Sequence, residues 1–224
     1  MAIIAQDELP NLNTPSSWEQ YLDSVVESGD IGTWRATGVT KNLWVGIPAG
    51  LRFVSNETTD ISHDKKKLLI AHEMITEDGK MLSIGSGFIG WDPVAKRIYS
   101  FYSGYDGGKP FWGPRELVGF NSRGEVWKYT ETSRGETYET QLTSKRISKN
   151  SRTNITKKTD GTGEALEVSL IKVVSANNNK TEVEKEVKQL ILDDNAYALK
   201  ELKDKGNTIS KKGSLEFWSS GGLL

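Results

Sequence analysis

Two histidines, scattered carboxylates and a large supply of aromatic rings are the side chains of this sequence that could do chemistry. His72 lies in KLLIAHEMIT. Strict alternation puts it on one face with Leu68, Ile70 and Met74, and puts Glu73 with Leu69, Ala71 and Ile75 on the other. Both faces are apolar, so the pattern leaves the inward face open. Turned toward a cavity, His72 could exchange protons or hold a ligand, because imidazole titrates near neutrality. Turned toward a neighbouring strand, it would be a buried histidine satisfied by hydrogen bonds. Glu57, Asp60, Glu73, Glu131 and Glu139 have no spacing that pairs any two of them, and solvated outer faces are their expected place. Serines are many and histidines few, so no Ser-His-Asp arrangement follows. Gly104-Tyr105-Asp106-Gly107-Gly108 lacks the Lys-Ser/Thr of a phosphate loop and reads as a turn.

The aromatic residues Trp34, Trp91, Trp112, Trp127 and Trp218, with Tyr99, Phe101, Tyr102, Tyr105 and Tyr129, combine large apolar area with polar tips. Such rings line ligand cavities and fill cores alike. Phe53, His72, Phe88, Tyr102, Trp112 and Tyr129 are the candidate ligand-binding residues, with His72 the one candidate for catalysis. Trp112 lies in KPFWGPR, residues 109–115, which reads as a stiff rim loop because it holds two prolines. That makes Trp112 the first candidate for ligand or partner contact. The basic group Lys145, Arg146, Lys149, Arg152, Lys157 and Lys158 reads as a solvated sheet face.

Composition narrows the classes. The chain has 29 basic and 30 acidic residues among 224, for a formal net charge of −1. This balance argues against a nucleic-acid binder that works by neutralising phosphates. With no cysteine, disulfides, thiolate catalysis, zinc–thiolate sites and iron–sulfur clusters are excluded. Two histidines make a multi-histidine metal site improbable, and no cofactor or metal is called for. No apolar run reaches the ~20 residues of a membrane span. The opening MAIIAQDELP lacks a basic n-region and is not an intact signal peptide. A cytoplasmic location is expected, with an exported mature form left open.

The elements that must position these side chains are mostly strands. Residues 1–13 read as an irregular leader. Thr14 as N-cap and Pro15 as first helical residue open a helix carrying Trp18, Tyr21, Leu22, Val25 and Val26 in one stripe. Period-two alternation then predicts strands at 32–40, 51–62, 67–76, 81–92, 97–106, 116–122, 125–133, 136–148, 153–160 and 163–174. Asp78-Gly79, Asp92-Pro93, Asp106-Gly107-Gly108, Arg123-Gly124, Arg134-Gly135 and Asp160-Gly161 supply the turns. Short turns make successive strands antiparallel neighbours, and about ten such strands close to remove their edges. The expected fold is therefore mainly β: a closed antiparallel up-and-down barrel of about 8–10 strands, flanked by an N-terminal and a C-terminal helix. Residues 14–174 hold the first helix and the barrel. Residues 175–224 hold a linker, a helix opened by Thr181 and Glu184, and a short terminal strand packed on the barrel.

Gly32-Thr33-Trp34, placed after a short helix at the first strand, resembles the Gly-x-Trp motif of the calycin group, the lipocalins and their relatives, in which tryptophan closes one end of the barrel. The GFIGWDP hairpin with its Tyr/Phe-rich strand and Gly-Gly turn is similar to the lipocalin-like DUF1579 family of uncharacterised bacterial proteins, over roughly residues 30–174. Haem-binding nitrobindins share a Gly-x-Trp-x-Gly-x-Gly opening. Here it is GTWRATG, and no histidine follows His72, so haem ligation of that kind is not implied. The resemblance implies a calycin-like barrel with Trp34 as its closing residue, holding a small, mostly hydrophobic or aromatic molecule. Two other functions stay open: an isomerase or cyclase using the same cavity with His72 as acid or base, and a non-catalytic interaction module. The amphipathic C-terminal helix offers a surface for self-association.

Overall fold

The structure, a computed structural model, describes residues 9–173. These lie in the first of the chain's two compact units, Met1–Val174. The expected linker, helix and strand within 175–224, and Trp218 with them, lie outside the described residues.

Ser17, not Thr14, caps the helix α1 (Trp18–Glu27). The Ser17 hydroxyl accepts from the Gln20 amide at 3.2 Å, leaving Thr14 and Pro15 in the approach segment. Ten strands follow: β1 (Gly32–Val39), β2 (Arg52–Ile61), β3 (Leu68–Thr76), β4 (Met81–Asp92), β5 (Arg97–Asp106), β6 (Lys109–Asn121), β7 (Gly124–Ser133), β8 (Glu136–Ser148), β9 (Ser151–Lys158) and β10 (Leu166–Lys172). Each pairs antiparallel with the next, and β10 returns to β1, so the sheet is a closed up-and-down barrel. The turn at Arg134-Gly135 has φ of 54° and 80°, the paired positive values that a two-residue hairpin of this twist requires.

The expected rim loop is overturned as well. KPFWGPR is strand, not a rim loop, and β6 begins at Lys109. Its prolines are tolerated because pairing is one-sided there. Pro110 and Pro114 stand opposite Tyr105 and Phe101 of β5. The β6–β7 register runs through Trp112 and Arg115 but skips Gly113 and Pro114.

Both ends of the barrel are plugged. At one, Trp18, Tyr21 and Val25 of α1 pack on Leu68, Ile89, Ile98 and Trp127. At the other, the β1–β2 connection folds inward, and its Leu43 and Ile47 bury against Phe53, Met74, Leu82 and Leu166. Thr40 fixes this connection: its hydroxyl donates to the Pro48 carbonyl at 2.6 Å and accepts from the Leu51 amide at 2.9 Å. Among the described residues no helix is long and apolar enough to cross a membrane.

Trp34 is 1% exposed and packs with Ala36 and Leu170 where β1 meets β10. Its indole donates to the Asp30 carbonyl at 3.1 Å. The Arg152 guanidinium lies 4.5 Å from the ring centroid and the Lys172 ammonium 5.6 Å. A tryptophan that holds a seam and two cations should be costly to remove. Trp34→Ala is expected to lose about 3–5 kcal/mol in urea unfolding. Trp112→Ala, from a ring 46% exposed on the outer wall, should lose under about 1 kcal/mol. Equal midpoints for the two variants would refute this ranking.

Candidate functional site

Between the two plugs the barrel encloses a chamber of about 230 Å³. Its ends are apolar, with Ile70, Ile89 and Leu142 toward α1 and Phe53, Met74 and Leu166 toward the β1–β2 connection. The waist is polar. His72, Tyr102, Asp106, Arg115, Tyr129, Glu131, Glu57 and Arg152 all line it.

Arg115 projects from β6 between two rings. Its guanidinium carbon lies 3.7 Å from the centroid of Tyr102 and 4.1 Å from that of Tyr129. Stacking of this kind suits the flat, weakly hydrated guanidinium. The β5–β6 register sets Arg115 opposite Ser100, and the β6–β7 register sets it opposite Tyr129. Tyr102 fits because β4 has no side chains beneath it. A Cβ on Gly85 would stand 2.7 Å from the Tyr102 ring, and one on Gly87 2.8 Å from it.

A hydrogen-bonded chain runs beside this stack. His72 Nδ1 lies 2.6 Å from the Tyr102 hydroxyl, which also donates to the Gly85 carbonyl at 2.9 Å. His72 Nε2 lies 2.5 Å from the Ser83 hydroxyl, and Ser83 lies 2.6 Å from Asp106 Oδ1. Four bonds need four protons. Tyr102, a neutral His72 and Ser83 supply three. With Asp106 ionised, Ser83 donates to it, and the Nε2 bond then requires imidazolium. Burial opposes imidazolium and pushes His72 down to about 3, with the nearby Arg115 charge adding to the effect. The chain is complete with neutral histidine only when Asp106 carries the fourth proton. Burial likewise pushes Asp106 up to about 7.

The other interior charges are paired. Arg146 donates to Asp30 at 2.8 Å and Arg152 to Glu57 at 3.0 Å. Tyr21 donates to Glu125 at 3.2 Å, and Tyr138 donates to Glu131. Burial raises Glu125 and Glu131 above the usual carboxylate range and raises Tyr129 to about 12.

The structure brings four of the candidate residues, Phe53, His72, Tyr102 and Tyr129, to one chamber. It places Phe88 and Trp112 outside. Phe88 packs edge-on against Tyr99 beneath the Lys67 ammonium. Trp112 lines a groove on the outer wall with Ile84, Tyr105 and Pro110. Strand parity is the reason: Phe88 alternates with inward Gly87 and Ile89, and Trp112 with inward Phe111 and Gly113. Glu57 and Glu131, expected on solvated faces, line the chamber. Arg146 and Arg152, expected on a solvated sheet face, are ion-paired with side chains mostly buried. Sequence reasoning passed over Ser83, Ser100, Asp106 and Arg115. Among the described residues no group of three or more His, Cys, Asp or Glu could hold a metal ion.

No family model matches the sequence, and no curated protein matches it. Among solved structures, lobster apocrustacyanin A1 is similar at 14% identity over 81% of this chain and 82% of that one, with a TM-score of 0.28. At that score the likeness adds nothing to the barrel already described.

The two shifted groups give opposite pH slopes. Asp106 binds its proton more tightly folded than unfolded, so its contribution is full below pH 3.8 and is lost as pH rises through about 7. His72 refuses a proton that the unfolded chain accepts, so its contribution is full above pH 6.5 and is lost as pH falls toward about 3. Asp106→Asn, compared with the parent by urea unfolding, should therefore gain relative stability between pH 5 and pH 8. His72→Gln should gain relative stability between pH 7 and pH 4.5. A pH-independent difference for either variant would contradict its assignment.

Proposed function

We propose that the barrel interior binds a small organic molecule with an apolar or aromatic body and a polar end. The observation that carries this reading is the chamber itself, lined by apolar residues toward α1 and the β1–β2 connection and by polar ones between. Its volume is below the ~300–1,000 Å³ usual for drug-sized ligands, which favours a compact molecule. The polar waist refines the expectation of a mostly hydrophobic guest. A wholly apolar molecule would strip water from charged groups without replacing its hydrogen bonds.

The isomerase or cyclase alternative would need His72 to give or take a proton. Both of its nitrogens are held, by Tyr102 and by Ser83. Ligand binding needs neither bond broken, and it is the reading this geometry supports.

The test is calorimetric titration with the neutral probe 2-naphthol. Saturable binding is expected to the parent and to Trp112→Ala alike. Ser144→Leu would fill part of the chamber, since Ser144 is buried in its wall. Overpacking costs ~1–3 kcal/mol, so its fold is checked by melting. It should weaken binding at least about tenfold, as expected when a guest and a side chain compete for one volume. No saturable binding to the parent, or equal binding by Ser144→Leu, would overturn the proposal.

A further inference from the structure

The chamber holds a row of polar groups that the protein leaves unused. Among the described residues no carboxylate lies within ion-pair distance of Arg115, whereas the other two interior arginines each have one. Directly opposite Arg115 on β5 is Ser100, 1% exposed, whose hydroxyl is buried without a hydrogen-bond partner. Directly opposite on β7 is Tyr129, whose ring stacks on Arg115 and whose hydroxyl makes no hydrogen bond among the described residues. The three residues form one cross-strand row on β5, β6 and β7, all lining the chamber. Neighbours in such a row stand roughly 4.5–5.5 Å apart. An unpaired buried hydroxyl is costly, so a row of unused donors is a preference awaiting an acceptor.

We infer that Ser100, Arg115 and Tyr129 form the receptor for the carboxylate of a small organic acid, whose apolar body extends into the chamber. This rests on the chamber binding a small molecule at all. The guanidinium carbon lies over both the Tyr102 and Tyr129 rings, which leaves the N–H edge as the part that meets a ligand. An edge-on fork matches the two oxygens of a carboxylate. The hydroxyls of Ser100 and Tyr129 flank that edge as further donors. The surrounding carboxylates decide between anions. Glu57, Glu125 and Glu131 line the same space, each bonded to its own partner. Arg115 can offset one negative charge, and the other interior arginines are already paired, so the second charge of a dianion would meet only repulsion and a carboxylate fits where a phosphate monoester does not.

A matched series tests this by calorimetry: 3-phenylpropanoate, its neutral isostere 3-phenylpropanamide, and phenyl phosphate. The parent should bind the carboxylate at least about tenfold tighter than the amide, as a charge-assisted fork predicts, with the phosphate weakest. Arg115→Met should bring the carboxylate-to-amide ratio near one. Ser100→Ala and Tyr129→Phe should each lower carboxylate affinity about three- to tenfold, and they decide the matter if Arg115→Met does not fold. If carboxylate and amide bind the parent equally, or if these variants leave the ratio unchanged, the receptor is refuted while the chamber stands. If none of the three probes binds the parent while 2-naphthol does, the receptor is refuted and the chamber stands; if 2-naphthol fails as well, both fall.

Discussion

Everything inside this protein depends on the seam between β1 and β10. Only three residue pairs join them: Trp34 with Lys172, Arg35 with Ile171, and Ala36 with Leu170. The seam is reinforced from both sides. The Val173 amide donates to Thr33 at 2.8 Å, and the Lys172 ammonium reaches the Gly29 carbonyl at 2.6 Å. Trp34 lies beneath, with Arg152 stacked on its ring. Closure removes the two free edges that an open ten-stranded sheet would expose. It also creates an inside. An open sheet would let water reach His72, Asp106 and Arg115, and none of the burial effects described above would exist.

An interior that holds arginines and carboxylates raises the question of how the fold tolerates it. Isolated buried charges are costly, and buried polar groups survive when bonded. Most of this interior obeys the rule. Asp30, at the exit of α1, draws in Arg146, and Arg152 is shared between Glu57 and the Trp34 face. These contacts tie β1, β2, β8 and β9 to the helix, so the charges also brace the fold. Arg115 departs from the rule: it is stabilised by two aromatic faces and not by a counter-ion. The protein has arranged to keep that cation in place without neutralising it.

Much of the fold was legible in the residues, because strand period and turn chemistry are local. Strands 81–92, 97–106 and 136–148 fall where alternation and turn chemistry put them, and 32–39, 68–76 and 124–133 fall within one residue of it. What failed was local evidence with a nonlocal answer. The prolines of KPFWGPR argue for a loop in isolation, yet pair well enough with β5 when one neighbour is left unbonded. The β1–β2 connection has no regular element of its own, yet Leu43 and Ile47 cap the barrel. The site was legible in part. Alternation separates Phe101 from Tyr102 but does not say which is inside. A usable signal was present in the small residues. Gly85 and Gly87 sit on one face of β4, across from Tyr102, because a ring laid flat on a strand needs bare backbone beneath it. That face also carries Ser83, the link to Asp106. Arg115 left no such trace, since its partners come from two other strands, β5 and β7.

Tyr102 belongs to both halves of the site. Its ring supports one face of Arg115, and its hydroxyl is one end of the chain through His72 and Ser83 to Asp106. The two roles constrain each other. Tilting the ring to free the hydroxyl would uncover the guanidinium. Holding the ring flat keeps the hydroxyl on Gly85 and His72. His72 is itself stacked on Tyr102, with ring centroids 5.4 Å apart, and Phe111 stacks on both. The rings of Phe111, His72 and Tyr102 thus form a near-parallel triangle across β3, β5 and β6, with Arg115 lying over Tyr102. Shape therefore comes from stacking and polarity from the hydrogen-bonded edges. Such a wall can present a fixed donor row to a guest without a rigid salt bridge to hold it.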